Sequence, residues 1–518
     1  MSFNLTTEPW IPVVSPDFEL KEVSLLELFE RWETQKEIRG DNPPTTLALY
    51  RFLLAILHRT YWGPKNIDHW EEIEEDNGQA VINYLKEHAD CFDLLHPEQP
   101  FMQDPILPLE KAVPVYAIHT MATSTVFSHE HEWSGYCISL PEAARLLVRL
   151  QSFDITSLRA FYVGQTKGNR SAVNTPLINA INVWIQGTTL KNSLLYNLVR
   201  YDPVADEPSP VTGEDHPYWE IGYGGKPTKT TPNGYISYLT FPWRRLKVFA
   251  EDNLIGQIAI TMGNSLPDKV SAQQWECGIP YREGKPLRFS LERELWRDAD
   301  ALILFADRQQ SSSQNHRPRI IDWLAQLKSD DLADDIVHLQ VFGLCADKAK
   351  PLAWSMERFS APRQYITDET GELSTALKIA IEQAEKHQQV FRSFKGSPYY
   401  ALAEALKHPD TSALAKTLEG ESRYWAALDR AFPNLLFQLP QDYETNPDGT
   451  TTYGNQQLPE WTKTLQKEAK EAFTESIASI RNYEARADAL RALNYWLAVL
   501  RGDIDPKSKR KSKAKKAN

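Results

Sequence analysis

The stretch ELSTALKIAIEQAEKHQQVFRSF, residues 372–394, decides the architecture of the C-terminal third. Leu373, Leu377, Ala380, Ile381 and Ala384 recur at three- and four-residue steps, so they share one face of a helix while Glu382, Glu385 and Lys386 point away from it. The pattern repeats at 483–501, where Leu490, Leu493, Leu497 and Leu500 form a second apolar stripe. Helical patterns also cover 411–431 and 459–480, with a shorter one near 398–407. A polar connection, 440–458, separates two of them. Four amphipathic helices with turn signals between them predict a four-helix bundle over 370–503.

N-terminal to the bundle the signals are mixed. Phe3, Leu5, Trp10, Ile11, Val13 and Val14 predict one or two short strands interrupted at Pro9 and Pro12. TTLALYRFLLAILHR, 45–59, predicts a buried helix that begins at Pro43 and Pro44. A further helical pattern runs through 65–95, and another through 138–151 with Ser139 as its N-cap and Pro141 in its first turn. From about 200 to 365 turn residues recur between β-type runs: YISYLTF (235–241), LKVFA (246–250) and IVHLQVFGL (336–344). The expected fold class is therefore α+β. A large mixed α/β domain spans 1–365, the bundle spans 370–503, and a basic, disordered tail spans 504–518.

The chain has 518 residues, 42% hydrophobic and 24% charged, which fits a globular protein of more than one domain. No start-of-chain signal peptide and no apolar run long enough for a membrane span are read from it. Cys91, Cys137, Cys277 and Cys345 are scattered without a CxxC pair, which fits free thiols in a reducing cytoplasm. A net charge of −12 argues against a self-sufficient nucleic-acid binder, because phosphate binding relies on Lys and Arg. Two routes remain: an uneven charge distribution, or binding inside an assembly whose other subunits supply the positive field. Residues 507–516, KSKRKSKAKK, hold seven basic residues and no acidic one, and suit either a solvated tail or non-specific phosphate contact.

No catalytic constellation emerges. Gly224-Gly225-Lys226 looks like part of a phosphate loop, but Glu220 stands where the first glycine is needed and Pro227 where Ser or Thr is needed. The stretch 222–230 reads as a flexible loop whose lysines are free for a phosphate. His119, His129 and His131, with Glu130 and Glu132, offer imidazoles at strand spacing but no third or fourth ligand, so a polar loop is the simpler reading. HExxH and Gly-x-Ser-x-Gly are absent. The expected role is binding or scaffolding, with no active site, no cofactor and no metal.

Five blocks, taken in order, resemble one family. They are Phe3-Asn4-Leu5 with Glu8 to Val13; Phe92-Asp93-Leu94 with His96 to Gln103; Thr175-Pro176; Trp296-Arg297-Asp298; and Phe342-Gly343-Leu344 with Trp354 and Glu357. Together they identify the chain as similar to CasA, the large-subunit family of type I-E CRISPR Cascade. That resemblance implies a crRNA-guided antiviral defence complex, in the cytoplasm, with backbone, 5′-handle-binding and small subunits as partners. The family role is to recognise the protospacer-adjacent motif (PAM) on double-stranded target DNA, help open the duplex for R-loop formation, and recruit the helicase–nuclease. Guide–target pairing reads the rest.

The resemblance also implies four functional elements. A loop at the crRNA handle corresponds to Phe127, Ser128 and His129. A minor-groove loop corresponds to Ala160, Phe161, Tyr162, Val163 and Gly164, poorer in glycine than the family's usual loop. A PAM-reading lysine corresponds to Lys285, with Arg288 as reserve. A wedge at a hairpin tip corresponds to Lys348 and Ala349, with lysine where glutamine is common. Lys167, Arg170, Arg282 and Arg288 are candidate phosphate contacts. Zinc-bearing relatives use paired cysteines, and Cys137 has no such partner in the sequence. Two other readings stay open: a metal-dependent nucleic-acid-processing enzyme, and a purely structural assembly subunit.

Overall fold

In the computed structural model the described residues are 2–119, 135–167, 170–290, 293–304, 315–327 and 335–504. The chain divides into two compact units: Met1–Leu291 with Ala301–Ser360, and Glu292–Asp300 with Ala361–Asn518. Both helix and sheet are present, as expected for a mixed fold.

Helix α1 (Pro43–Tyr61) is the spine of the first unit. Asn42 caps it by accepting from Thr45 N–H, Pro43 fills the first turn where no hydrogen-bonded N–H is needed, and every residue from Pro44 to His58 is buried. A buried ion pair ties it down, Arg51 to Glu276 at 2.8 Å. Around it Trp10, Phe52, Phe92, Phe101 and Trp219 pack edge-on or tilted at centroid distances of 5.5–6.4 Å. Helix α2 (Leu140–Ser152) packs on α1. Ser139 and Glu142 form its capping box, as their three-residue spacing predicts.

The strands form small antiparallel sheets. Strands β1 (Ile11–Val14), β2 (Leu20–Val23) and β3 (Glu37–Ile38) lie in the order β2-β1-β3. Strands β4 (Ala112–Pro114) and β5 (Ile138–Ser139) flank β10 (Leu254–Met262), which also pairs with β9 (Arg244–Glu251). β6 (Ser157–Leu158) pairs with β7 (Ser171–Ala172). β8 (Ile181–Gln186) pairs with β13 (Ile336–Asp347), which pairs in turn with β14 (Lys350–Pro362). β11 (Tyr281–Arg282) and β12 (Lys285–Pro286) make a short hairpin.

One β-type run is helical. Tyr235–Leu239, inside YISYLTF, is a single helical turn. The Asp215 carboxylate accepts from Ile236 N–H at 2.9 Å and Ser237 N–H at 2.7 Å, satisfying the donors of the first turn from a residue far along the chain.

The second unit holds α3 (Glu372–Gln388), α4 (Pro398–Leu406), α5 (Thr411–Leu418), α6 (Gly420–Gln438), α7 (Gln457–Ser476) and α8 (Tyr483–Arg501). α3 and α6 pack on α7, and α4 packs on α8. Pattern 411–431 is two helices, broken at Glu419 with φ +53°. The polar connection 440–458 carries a hairpin, β15 (Tyr443–Thr445) with β16 (Thr451–Tyr453). Trp296 joins this unit. Its indole stacks on Phe432 at 4.3 Å and donates to Asp429 at 2.6 Å, while Arg297 sits 3.6 Å over Trp425. No helix among the described residues is long and apolar enough to cross a membrane.

Candidate nucleic-acid interface

Three of the four sequence-selected elements lie among the described residues of the first unit. Residues 160–164 fall in the loop between β6 and β7, closed at its base by Arg159 N–H donating to Arg170 carbonyl at 3.0 Å. Ala160 bridges Thr261 in parallel. Tyr162 is the anchor. It is buried against Leu107 and Ala259, and its hydroxyl reaches Asp104 at 2.8 Å and Gly225 carbonyl at 3.3 Å. Burial and the Asp104 carboxylate push the phenol up to about 12. Gly164 is the residue of this loop with free backbone: φ is +76° and nothing lies within 4 Å of where a Cβ would stand. Phe161 takes the Arg170 guanidinium over its ring at 5.5 Å, so Arg170 is partly engaged, whereas Lys167 is exposed.

Lys285 projects from the β11–β12 hairpin. Arg282 pairs with Lys285, and Glu283 and Gly284 between them both have positive φ, +54° and +71°, the geometry of a tight two-residue hairpin turn. Lys285 is exposed. Leu287 N–H donates to Pro280 carbonyl, and Ile181 N–H to Leu287 carbonyl, which seats this hairpin on β8. Arg288 lies beside Cys345, whose thiol is pushed up by burial against the opposing pull of Arg288.

Lys348 and Ala349 form the exposed two-residue turn between β13 and β14, with Lys348 at φ +53°. Ala346 N–H donates to Asn179 Oδ1 at 2.7 Å, and Asn179 N–H to Leu344 carbonyl at 2.9 Å. Cys345 Sγ donates to Phe289 carbonyl at 2.9 Å, and the Phe289 ring covers Gly343 so closely that a Cβ there would collide with it. The Lys285 hairpin and the Lys348 turn are thus joined through residues 287–289. The β6–β7 loop reaches the same turn through a cavity of about 150 Å³, whose walls include Ser157, Arg159, Leu344 and Ala349.

Phe127, Ser128 and His129, with His131, lie outside the described residues. The flanks of that segment are described. His119 Nδ1 and Tyr136 hydroxyl are 2.7 Å apart, and Arg149 donates to the carbonyls of Ile118 and His119 at 2.9 and 3.1 Å. Burial, then Arg149, lower the His119 pKa, so its imidazole is held neutral.

A charge cluster behind these elements was missed by sequence reasoning. Asp154 accepts from Arg159 at 2.6 Å and from Arg244 at 2.5 Å, and Arg149 is buried beside them. Burial pushes the Asp154 carboxyl up, but Arg244 and Arg159 outweigh it and hold it below its ordinary value. Burial brings Arg149 down to about 10. The available signal was in α2: Arg145 and Arg149 sit one turn apart on a helix that is buried along most of its length. Arg145 is fully compensated, by Glu22 at 2.6 Å and Asp41 at 2.9 Å, on the wall of a larger cavity of about 550 Å³. No cluster of three or more His, Cys, Asp or Glu suited to a metal occurs among the described residues, and Cys137 is exposed and free.

Comparison with known proteins places the chain in a family. The sequence model of the family "CRISPR-associated protein Cse1" matches residues 4–472. A curated relative, CRISPR-associated protein CasA/Cse1 of Thermus thermophilus, is 29% identical over 468 residues, covering 85% of this chain and 88% of the relative. A crystal structure of Thermus thermophilus CasA has a TM-score of 0.76 at 25% identity, covering 97% of this chain and 100% of that one. The crystal structure of Cse1 from Acidimicrobium ferrooxidans has a TM-score of 0.77 at 21% identity, covering 98% and 99%. A chain of a CRISPR RNA-guided surveillance complex has a TM-score of 0.74 at 21% identity, covering 96% and 99%.

Proposed function

The chain belongs to the CRISPR-associated Cse1 family, and on that premise we propose that it is the non-catalytic large subunit of a type I-E Cascade, the reader of the PAM on double-stranded target DNA. In this reading it acts in the cytoplasm beside the crRNA and the backbone, 5′-handle-binding and small subunits. It helps open the duplex for R-loop formation and then recruits the helicase–nuclease. Residues 1–365 carry the RNA-handle and DNA-reading loops, and 370–503 form the four-helix bundle.

One observation carries the reading. Residues 159–167, the Lys285 hairpin and the Lys348–Ala349 turn are far apart in sequence, yet hydrogen bonds and shared walls join them in one compact unit. Two exposed lysines on tight turns with left-handed backbone suit insertion into a groove. Minor-groove readout separates chiefly A·T from G·C, so a lysine there gives a tolerant PAM. Tyr162 is an anchor rather than a contact, so in this chain close backbone approach from the 160–164 loop falls to Gly164. The Lys348–Ala349 turn parts the first base pair after the PAM, at a cost of a few kcal/mol that its contacts offset. The negative net charge agrees with a subunit that meets DNA only inside an assembly.

The test is duplex opening by the reconstituted complex, read by 2-aminopurine fluorescence at the first base pair after the PAM. Lys348→Ala is expected to slow opening, and Lys285→Ala to weaken binding of PAM-bearing duplex without affecting a pre-opened target. A purely structural subunit predicts no effect of either. Mg²⁺-dependent cleavage of DNA by the purified chain, abolished by a carboxylate substitution, would overturn the non-catalytic assignment.

A further inference from the structure

The cavity of about 150 Å³ at the foot of the Lys348–Ala349 turn has an unusual charge balance. Arg149, Asp154 and Arg159 line it together with Ile118, Ser157 and Ala349. Arg149 is 1% exposed and the Arg159 side chain 10%, and the Nε of each has no hydrogen-bond partner among the described residues. Arg149 otherwise reaches the carbonyl oxygens of Ile118 and His119. Among the described residues Asp154 is the single carboxylate in the wall, and Arg159 and Arg244 already share it. Three guanidiniums therefore face one carboxylate. Of the acidic groups nearby, Asp41 is ion-paired with Arg145, and Asp347 is exposed on the hairpin.

Burying an uncompensated cation is costly, as is leaving its N–H donors unmet. Such a cluster persists where an anion completes it. The space is larger than the roughly 30 Å³ share of one water and well below the roughly 300 Å³ at which drug-sized sites begin, which suits a single tetrahedral oxyanion. Guanidinium forks match phosphate oxygens in geometry as well as charge. We propose that this cavity is a subsite for a nucleic-acid backbone phosphate, taken from the strand that is parted at the Lys348–Ala349 turn. The proposal rests on the reading of that turn as the element that opens the duplex.

The test uses the assembled complex and duplex targets in which one phosphate at a time, across the junction beside the first opened base pair, is replaced by a neutral methylphosphonate. The expected result is one position where neutralisation weakens wild-type binding about tenfold, and where Arg159→Gln no longer responds. Ser157→Glu is the second variant, useful if Arg159→Gln does not fold. It sets a carboxylate in the wall, so it is expected to raise the Tm of the chain while weakening target binding and abolishing the same methylphosphonate response. The absence of any methylphosphonate-sensitive position, or equal sensitivity in wild type and both variants, overturns the proposal. Thermal stabilisation of the chain by inorganic phosphate, with no sensitive position in the target, identifies a free-anion site and overturns it as well. If complexes without this chain open the target normally, the reading of the turn fails first. If opening needs the chain but Arg159 shows no coupling, the cavity alone is misassigned.

Discussion

Buried ionisable groups make this molecule's stability depend on single residues. Asp154 offsets two guanidiniums, so Asp154→Asn leaves both under-compensated and is expected to cost about 3–5 kcal/mol in denaturant unfolding. Its folded pKa is depressed. Its contribution is therefore complete above the ordinary carboxylate range and is lost as pH falls through the lower folded value, so the gap between wild type and Asp154→Asn should narrow below about pH 4. His58 acts at milder pH. Burial lowers it from 6.5 to about 4, and its Nδ1 lies 3.0 Å from Gly63 carbonyl. The unfolded chain binds this proton more readily. Stability is full above about pH 6.5 and falls towards pH 4, by about 3 kcal/mol in total. Replacement by Gln should flatten the slope of unfolding free energy in that window; an unchanged slope would show that His58 is not the group responsible. None of this was legible in the sequence, where Asp154 and His58 are single polar residues among many. Their roles come from the guanidiniums of Arg244 and Arg159 around Asp154 and from the burial of His58, which only folding brings about.

At the scale of elements, sequence and structure agree where local signals suffice. α2 starts at its Ser139–Glu142 box, and IVHLQVFGL runs through β13. They part where a distant residue decides. Tyr235–Leu239 has strand-like composition but turns helical because Asp215 accepts its first N–H donors. Helices α5 and α6 separate at Glu419, whose left-handed backbone ends α5, and Gly420 opens α6 pressed so closely against Tyr399 that no side chain fits there. The Lys285 and Lys348 turns were legible as turns, but not their coupling through Phe289 and the Arg159 cavity. The β13–β14 turn offers a direct check. Lys348 holds left-handed backbone, so Lys348→Gly should leave stability unchanged or raise it by up to about 1 kcal/mol, while Lys348→Val should lower it by about 1 kcal/mol or more, read as Tm of the isolated chain. Gly343→Ala should cost about 1–3 kcal/mol, because the added methyl drives Phe289 out of its seat under Cys345.

At the scale of the whole molecule, the proposed role asks a protein of net charge −12 to read DNA through a few exposed cations inside an assembly. Lys167→Ala, at an exposed candidate phosphate contact, is expected to lower the slope of log K against log salt by about 1 for the assembled complex, as loss of a single phosphate contact does. The most direct test is selection of bound duplexes from a library with a randomised PAM, by gel shift, using complexes assembled with and without this chain. The account predicts a defined sequence preference that disappears without the chain and is weakened by Lys285→Ala. An identical preference in both complexes would contradict it.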